Sequence, residues 1–509
     1  MFMTLLDGSD RQLASAISRL AYANPFLPER IEYEREALGA EFVPGGTLWN
    51  SRGEPSANMR ALHERSEALA GRLSARLAQG VRPSADDLQL YEDVVIYFLF
   101  SRYEDDFYRL IEERAPGATV SVYRSFRQDV ERLLQVPRAT VVADRDVAHV
   151  FAIYFQIRRA FHYIFRNIIG SSAPVIRLRA AVWQSIFTRD MRRYRRSLYQ
   201  RMGDVATLIV GPSGTGKELV ARAIGLARYV PFDGTRQTFT EDFAGSFHAL
   251  NPSALSPTLI ESELFGHRRG AFTGALADRA GWLEVCPPLG SVFLDEIGEL
   301  DPAIQVKLLR VLQERTFQRL GDTRDRHFQG KIIAATNRDL AREMLAGRFR
   351  QDFYYRLCSD LIVTPSLEEQ LRAAPGERGA LVRFIAGRVA GEAEAESLAA
   401  ETERWIDAHL GPGYAWPGNV RELEQCVRNV MIRGEYRPPR SATVSVRRRV
   451  ADEILAGSLA ADDVLRRYCT LVYAETGSFQ ETGRRLQLDR RTVREKIDQG
   501  LLAELRGEA

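Results

Sequence analysis

The sequence predicts a multidomain protein with an α-helical N-terminal region, a central α/β domain on a mostly parallel sheet, and an all-α C-terminal module. In the first third, apolar residues recur at i, i+3 and i+4, the spacing of amphipathic helices. From about residue 167, short β-branched runs alternate with helical patterns, which is typical of a parallel sheet. After a Pro- and Arg-rich stretch at 437–449, read as a linker, the helical spacing returns. We place the domains at 1–166, 167–435 and 436–509.

Composition and charge are those of an ordinary soluble globular protein. The 509 residues include 45% hydrophobic and 27% charged residues, enough for about two to four domains. The net charge is only +3, from 70 basic and 67 acidic residues. Any affinity for nucleic acid must therefore come from local clusters of basic residues.

Cysteine usage and hydropathy favour a cytoplasmic protein without a membrane segment. The four cysteines are scattered and form no C-x-x-C pair, which argues against a disulfide framework or a zinc site. The N-terminus meets acidic and basic residues before any long apolar run, unlike a signal peptide. The most apolar segment, 147–165, is interrupted by His149, Gln156 and Arg158, so we do not expect it to span a membrane.

The helical N-terminal region, 1–166, is rich in aromatic residues, among them Tyr91, Phe98 and Phe107. These could line a ligand pocket, but a packed core is the favoured interpretation. The region lacks the acid cluster and strand pattern of a phosphoacceptor receiver domain. We therefore expect its input to be an unknown ligand or partner protein, and whether it represses or activates stays open.

The first motif with chemical content is GPSGTGKE, residues 211–218, between the apolar run ATLIV and a helical pattern. The spacing G-x-x-x-x-G-K predicts a loop whose N–H groups surround phosphates, with Lys217 on the outer phosphates. Glu218 stands where many such loops have a hydroxyl for Mg²⁺. The predicted ATP-binding residues of this loop are Gly211, Pro212, Ser213, Gly214, Thr215, Gly216, Lys217 and Glu218.

Two further apolar runs end in polar residues that suit phosphoryl chemistry. In SVFLDEI the apolar run is followed by Asp295 and Glu296, an arrangement in which one acid binds Mg²⁺ and the next polarises a water molecule. KIIAATN ends in Thr336 and Asn337, polar groups placed to sense the γ-phosphate. A strand capped by two exposed acids is the alternative, and the phosphate loop makes it the weaker one.

Three arginines are candidates for contact with phosphate. Arg350 and Arg356 lie six residues apart in GRFRQDFYYRL, and arginine suits transferring phosphoryl charge, often supplied by a neighbouring subunit. Arg421 lies in the first turn of the helix predicted after WPGN. A cation there opposes the helix dipole and should have an anionic partner.

These motifs, in this order, resemble the sigma-54-dependent transcription activators, the enhancer-binding branch of the AAA+ ATPases. The decisive stretch is ESELFGHRRGAFTGA, Glu261 to Ala275. It contains the signature of the loop by which that family grips sigma-54. Between two flexible glycines, the Phe272 ring and the Thr273 hydroxyl are expected to be exposed at a mobile tip. The residues expected to contact sigma-54 are Gly270, Ala271, Phe272, Thr273, Gly274 and Ala275.

The resemblance covers about residues 167–435 and implies a role for each matched position. Glu218 is ordinary in this family, and Asp295 is left to hold Mg²⁺, partly through water. Glu296 is expected to polarise the attacking water, and Asn251 to pair with Glu296 and report the γ-phosphate state. By the same resemblance Arg350 and Arg356 are trans-acting arginine fingers, Thr336 and Asn337 form the first sensor, Arg421 is the second sensor, and 366–435 is a helical lid.

The chain departs from the family pattern at few places. The interval 228–246 is longer than usual, the segment 187–203 also looks expanded, and Pro252 replaces a common cysteine. None of these departures touches a predicted catalytic position, but they leave the adenine pocket and the subunit interface open.

The C-terminal segment 461–502 reads as three helices, the last two forming a helix-turn-helix with Asp489 as the N-cap of the recognition helix. Basic residues concentrate there, as phosphate contact requires. A helical hairpin that only promotes oligomers is the alternative, and a Fis-like DNA-binding end is what the family usually has. The candidate DNA contacts are Arg490, Arg491, Thr492, Arg494 and Lys496.

The predicted function is ATP-dependent transcription activation. The protein would bind upstream double-stranded DNA and use ATP hydrolysis, with Mg²⁺, to remodel sigma-54 RNA polymerase from closed to open complexes. It would act as a homo-oligomeric ring, a hexamer by expectation, with a heptamer left open. The alternatives are an AAA+ remodeller of another protein or nucleic acid, and a DNA-binding regulator in which nucleotide only controls assembly.

Overall fold

The structure, a computed structural model, describes residues 4–44, 56–113, 117–136, 139–140, 144–251, 256–411, 413–438, 446–455, 457 and 459–507. The chain forms two compact units, and each is described by itself. The first comprises residues 1–399 with 418–423, and the second comprises 400–417 with 424–509.

The N-terminal region is helical, as predicted. Serines begin two of its helices, because Ser56 accepts a hydrogen bond from Met59 N and Ser84 from Asp87 N. The aromatic residues form a packed core: Tyr91, Phe98 and Phe107 are buried. No helix in the described part of the chain is long and apolar enough to cross a membrane. The elements are α1 (Gly8–Tyr22), α2 (Glu29–Leu38), α3 (Ala57–Ala78), α4 (Ala85–Arg102), α5 (Glu104–Glu113), α6 (Val122–Leu134), β1 (Gln135–Val136), β2 (Ala139–Thr140) and α7 (Asp144–Asn167).

The central domain is an α/β fold on a five-stranded sheet, which confirms the predicted architecture. Its strands are β3 (Thr207–Val210), β6 (Phe247–Leu250), β7 (Ser291–Leu294), β10 (Lys331–Thr336) and β11 (Asp360–Val363). The order is β11-β3-β10-β7-β6 and every pair is parallel. The carboxyl ends of the strands therefore share one edge, where ligands of such sheets bind. Two short hairpins flank the sheet, β4 (Phe232–Asp233) with β5 (Thr238–Phe239) and β8 (Thr316–Phe317) with β9 (Arg326–His327).

Helices cover both faces of the sheet because its strands alternate apolar residues in and out. Ile209 and Ile333 face the core that also contains the N-terminal helices, whereas Leu208 and Ile332 face a second core. In chain order, the helices from residue 173 to residue 433 are α8 (Ala173–Phe187), α9 (Met191–Arg196), α10 (Lys217–Leu226), α11 (Pro257–Phe265), α12 (Trp282–Val285), α13 (Pro302–Glu314), α14 (Leu340–Leu345), α15 (Gln351–Leu357), α16 (Leu367–Ala373), α17 (Glu377–Ala390), α18 (Ala395–His409) and α19 (Asn419–Arg433), of which the last two lie partly in the second unit.

The long interval 228–246 holds the N-terminal region against the central domain. Its hairpin β4–β5 packs on α7: the ring centroids of Phe151 and Phe232 lie 4.7 Å apart, and those of Phe155 and Phe239 lie 4.3 Å apart. Phe243 adds an edge-on contact with Phe155 at 5.0 Å. Aromatic pairs in these geometries stabilise beyond the area they bury. The interval that looked expanded in the sequence is thus a docking element.

A buried arginine joins α7 to the end of α10. Arg159 is 1% exposed. Its guanidinium donates to Arg228 O at 3.1 Å, to Phe243 O at 2.8 Å, and to Leu226 O. A cation suits the unsatisfied carbonyls at a helix C-terminus. The domain boundary at residue 166 stays a prediction. The hydrogen bonds of Arg159 show that α7 packs directly against the central domain.

A buried lysine at the start of β10 should make stability depend on pH. Burial first, and then the charges of Arg228 and Arg315, lower the pKa of Lys331 to about 7, against a partial offset from Asp360. Between this value and the ordinary lysine range near 10.5, the unfolded chain binds a proton that the folded chain does not, so stability rises with pH.

We expect the free energy of unfolding of wild type, minus that of Lys331→Met, to increase by a few kcal/mol between about pH 7 and pH 9. Urea unfolding at several pH values measures this difference. Lys307→Met is the control, since Lys307 is exposed and pairs with Glu261 at 2.7 Å. A difference that does not change with pH would contradict the burial of a neutral lysine.

The second unit contains the C-terminal helices α20 (Val446–Leu455), α21 (Ala461–Thr476), α22 (Phe479–Leu486), α23 (Arg490–Lys496) and α24 (Gln499–Gly507). Cys469, Val493 and Leu502 are buried in one small core. The structure adds two helices, α20 and α24, to the three that were predicted. Helix α20 begins inside the predicted linker, whose residues 439–445 lie outside the described part of the chain.

Candidate functional site

The predicted phosphate loop lies between β3 and α10. Gly211, Gly214 and Gly216 have φ of 152°, 78° and 86°, a region that other residues rarely adopt. Lys217 begins α10, is 7% exposed, and donates from Nζ to Gly211 O at 3.0 Å and Pro212 O at 3.1 Å. Burial lowers the pKa of Lys217, although Glu296 and Asp295 oppose this. The loop is therefore shaped for an anion, with a cation at its base.

The side chain of Glu218 makes its ion pair along α10. Its carboxylate pairs with Arg222 at 3.0 Å, one turn along α10. An acid in the first turn of a helix is favourable because the helix dipole is positive there.

The two predicted acids lie at the carboxyl edge of the sheet. Asp295 follows β7 and donates from its N–H to Leu250 O at 2.9 Å. Glu296 has φ of 49°, and its Oε2 accepts a hydrogen bond from Asn337 N at 3.1 Å. The main chain of the next strand end thus orients the Glu296 carboxylate.

Burial, and then the negative charge of Glu296, raise the pKa of Asp295. Two adjacent carboxylates beside Lys217 leave an excess of negative charge that a divalent cation would relieve. Carboxylate oxygens are ligands that Mg²⁺ prefers. The residues present therefore fit a magnesium ion, and the role of Asp295 as its ligand stays a prediction.

The remaining predicted residues of this edge divide into buried and exposed ones. Thr336 is fully buried and its Oγ1 accepts from Arg338 N at 3.1 Å, so it shapes the turn after β10. Asn337 is exposed. Asn251 follows β6, and because Leu250 pairs with Leu294, it lies beside Asp295 at the strand ends. Its pairing with Glu296 stays a prediction.

Two residues that the sequence did not indicate hold the loop from the other side. Asn419 Nδ2 donates to Ser213 O at 2.9 Å, while its Oδ1 accepts from Leu367 N at 2.8 Å. Thr364 Oγ1 lies 2.7 Å from Thr215 Oγ1. The Pro-Gly-Asn turn was the available signal, since Asn tolerates the φ of 55° that this position has.

Arg421 reaches the same loop. Its Nη1 donates to Ser213 Oγ at 3.2 Å, and its charge is felt by Lys217. Lys217, Asp295, Glu296 and Arg421 therefore converge around one phosphate loop although they are far apart in the sequence.

The two predicted arginine fingers lie elsewhere on the surface. Arg350 precedes α15 and pairs with Asp352 at 2.7 Å, with 46% of its side chain exposed. Arg356 lies on α15 and is exposed. Their role as arginine fingers towards a neighbouring subunit stays a prediction.

The segment Gly270–Ala275 forms a compact turn. Gly270 and Gly274 have φ of 83° and 98°, and Gly270 N donates to Ala275 O at 2.9 Å. Thr273 is exposed, as predicted. The expectation of an exposed Phe272 is wrong for this conformation: Phe272 is half-buried, with its ring 5.0 Å from that of His267. The turn folds the ring back onto the base of the loop.

Neighbouring segments support this turn. Arg268 N donates to Leu320 O at 3.0 Å, and Arg268 pairs with Asp322 at 3.3 Å. Leu276, directly after the turn, is 86% exposed. An exposed apolar side chain beside Thr273 was not expected, and it adds to the surface available to a partner.

In the second unit, α22 and α23 are joined by a short turn. Asp489 accepts a hydrogen bond from Arg491 N at 2.7 Å, which is the predicted N-cap. Arg490, Arg491 and Arg494 are exposed on α23, and Thr492 is half-buried. Lys496 differs from the prediction because its ammonium pairs with Asp462 of α21, which lowers the pKa of Asp462.

Comparisons with known proteins agree on one family. The model of the Sigma-54 interaction domain matches residues 186–362. The transcriptional regulatory protein ZraR of Klebsiella oxytoca is 38% identical over 300 residues, 58% of this chain and 63% of the relative. The Nif-specific regulatory protein of Herbaspirillum seropedicae is 36% identical over 323 residues, 63% of this chain and 50% of the relative.

A third relative is matched over more of its own length. The sigma54-dependent transcriptional activator SfnR of Pseudomonas putida is 39% identical over 278 residues, 53% of this chain and 69% of the relative. The chain thus spans between half and about two thirds of the length of these three relatives. With the converged loop, acids and Gly270–Ala275 turn, these matches show that the chain belongs to the family of sigma-54-dependent transcription activators.

Proposed function

We propose that this protein hydrolyses ATP in a ring of identical subunits and uses the hydrolysis to remodel sigma-54 RNA polymerase bound near its upstream DNA site. One observation carries the proposal. Lys217, Asp295 and Glu296 lie together at the carboxyl edge of the sheet, in the same domain as the Gly270–Ala275 turn.

The proposed chemistry is attack of water on the γ-phosphate. The N–H groups of the phosphate loop and the Lys217 ammonium would stabilise the negative charge of the phosphates. Glu296, which accepts a hydrogen bond from Asn337 N at 3.1 Å, would accept a hydrogen bond from the attacking water. When bound at Asp295, Mg²⁺ would supply further neutralisation of phosphate charge.

The loop and the arginines suggest that each site is shared between subunits. Arg350 and Arg356 are exposed, and Arg350 pairs with Asp352. Arginine provided by a neighbour would complete the site only in the assembled ring. An isolated monomer is then expected to hydrolyse ATP poorly.

The test of the proposed function is a trapping experiment. The full chain is incubated with purified sigma-54 and ADP plus aluminium fluoride, a mimic of the transferring phosphoryl group. Gel filtration then detects a complex. We expect wild type to form the complex and Thr273→Ala to lose it, since Thr273 is the exposed hydroxyl of the turn.

Thr323→Ala is the matched control, because Thr323 also lies in an exposed loop but outside the turn. A complex that Thr273→Ala forms as well as wild type would assign the contact to other residues. Active ATP hydrolysis without any complex would instead favour a remodeller of another protein or nucleic acid.

The proposed DNA contact rests on the exposed arginines of α23. We expect Arg491→Ala to weaken binding to double-stranded DNA and to reduce the slope of log affinity against log salt by about 1, as for one lost phosphate contact. Its main-chain bond to Asp489 stays in place, so the helix should persist. Binding measured by fluorescence anisotropy at several salt concentrations tests this.

Lys496→Ala is the contrasting variant. Because Lys496 pairs with Asp462, its removal should change DNA affinity less than the removal of Arg491. Equal losses in both variants would mean that the two side chains contact DNA alike, and no loss in either would support a helical hairpin without a DNA role.

A further inference from the structure

A cavity of about 300 Å³ lies at the edge of the sheet opposite the phosphate loop. Its lining includes Lys331, the first residue of β10, and Leu289, which precedes β7. These strands are parallel, so their first residues mark the amino edge of the sheet, whereas the phosphate loop follows the last residue of β3. The cavity is therefore separate from the nucleotide site, and its volume is at the lower end of the range for ligand pockets.

Two basic side chains, Lys331 and Arg228, line this cavity without a carboxylate partner. The Lys331 ammonium has three donors, of which two reach Met202 O at 3.4 Å and Val205 O at 2.6 Å. Arg228 donates to Gly290 O through Nη1. Among the described residues, no carboxylate lies within ion-pair distance of either cation. Buried charge of one sign is costly unless a counter-charge joins it.

The nearby acids are occupied by other groups. Asp204 pairs with Arg315 at 3.2 Å, and Asp360 accepts a hydrogen bond from Thr207 at 3.0 Å. Glu241, whose charge acts on Arg228, accepts a hydrogen bond from Leu289 N at 3.4 Å. Burial first, and then the positive charges of Arg228 and Arg315, lower the pKa of Lys331 to about 7, so positive charge is in excess around this partly protonated lysine. An anion in the cavity would offset this excess.

Besides the polar residues Gln156, Ser185 and Gln200, the lining contains aromatic and aliphatic side chains. The rings of Tyr199 and Tyr229 lie 4.6 Å apart, and Tyr194 and Ile224 complete that side. Flat rings provide a surface for the apolar body of a ligand, while the cations fix its charged end.

We propose that this cavity binds a small organic anion, with its acid group on Arg228 and Lys331 and its body against Tyr199 and Tyr229. A carboxylate and a phosphate share this chemistry. The site joins the N-terminal region to the helix of the phosphate loop, since Gln156 of α7 donates to Ala227 O at 3.0 Å and to Tyr194 OH at 2.7 Å in the lining.

The cavity and the phosphate loop lie at opposite ends of α10. That helix has 10 residues, about 15 Å, with Lys217 at one end and Ile224 in the lining near the other. A bound anion would therefore lie against one end of α10, the helix whose other end begins at the nucleotide site. This regulatory consequence rests on the proposed ATPase function, but the binding itself does not.

The test measures binding to the full chain without nucleotide, by isothermal titration calorimetry. Benzoate and 4-hydroxybenzoate are the carboxylate probes, phenyl phosphate and inorganic phosphate are the phosphate probes, and 4-hydroxybenzamide is the neutral control. We expect saturable binding of at least one anion, no binding of the amide, and about tenfold or greater loss of affinity in Arg228→Gln. Binding of the carboxylate probes or of the phosphate probes shows which acid group the cavity takes.

Two further variants make the result decisive. Leu289→Trp should fill the cavity and abolish binding even if Arg228→Gln does not fold, and Arg236→Gln should bind like wild type, since Arg236 is exposed and pairs with Asp233. No binding of any anion, or equal binding by wild type and Leu289→Trp, overturns the proposal. Either result leaves the sigma-54 trap unaffected, so the two proposals fail separately.

Discussion

Glu296→Gln is expected to lower kcat for ATP hydrolysis by about two to four orders of magnitude, while ATP binding is retained. The amide keeps the size of the side chain and can still accept from Asn337 N, but it cannot accept a proton from water. The substitution also removes the negative charge of Glu296, which is one cause of the raised pKa of Asp295. Asp295 should therefore stay ionised and able to hold Mg²⁺. Nucleotide affinity should therefore change little.

Single-turnover hydrolysis and binding of a fluorescent ATP analogue measure the two effects separately. Glu299→Gln is the matched control, because Glu299 lies three residues on and pairs with Arg338 at 2.9 Å. Unchanged hydrolysis in Glu296→Gln would remove this residue from the chemistry. An unchanged transcriptional output would favour a regulator in which nucleotide only controls assembly.

Arg356→Ala should lower kcat by about a thousandfold or more, the effect expected of an arginine that stabilises the transferring phosphoryl group. Because Arg356 is exposed on α15, its loss should leave the fold and the binding of ATP to its own subunit unchanged. Arg348→Ala is the control, since Arg348 pairs with Glu343 at 2.6 Å near the same helix.

Mixing two inactive variants tests whether the arginine acts on a neighbour. In a ring that contains Lys217→Ala and Arg356→Ala subunits in equal amounts, about a quarter of the interfaces combine an intact loop with an intact arginine. We expect activity to reappear on mixing. Mixtures as inactive as the separate variants, in rings shown to exchange subunits, would contradict a shared site.

The sequence predicted that Lys217, Asp295 and Glu296 meet at the carboxyl edge of the sheet, because each part of this cluster is a local pattern. A phosphate loop, an acidic pair after an apolar strand, and a glycine-flanked turn can each be read within about ten residues. The parallel sheet then brings these parts together, because strand ends share one edge. Periodicity likewise predicted the N-terminal helices and their aromatic core.

Contacts between distant segments could not be read in this way. The hydrogen bond from Asn419 to Ser213 O joins segments about two hundred residues apart. The Phe272 ring contacts that of His267 only because the turn folds back. The interval 228–246 was recognised as long, but nothing in its local pattern indicated that its phenylalanines would pack on α7. Tertiary packing decides such positions.

The hydrogen bonds from Arg159 to the main-chain oxygens of Leu226, Arg228 and Phe243 have a consequence for biosynthesis. The ribosome completes α7 well before it makes the interval 228–246, so the aromatic face of α7 must wait for its partners during translation. Exposed apolar surface of this kind favours aggregation or chaperone binding. The N-terminal helices should reach a protease-resistant state on the ribosome only after residue 243 has left the exit tunnel.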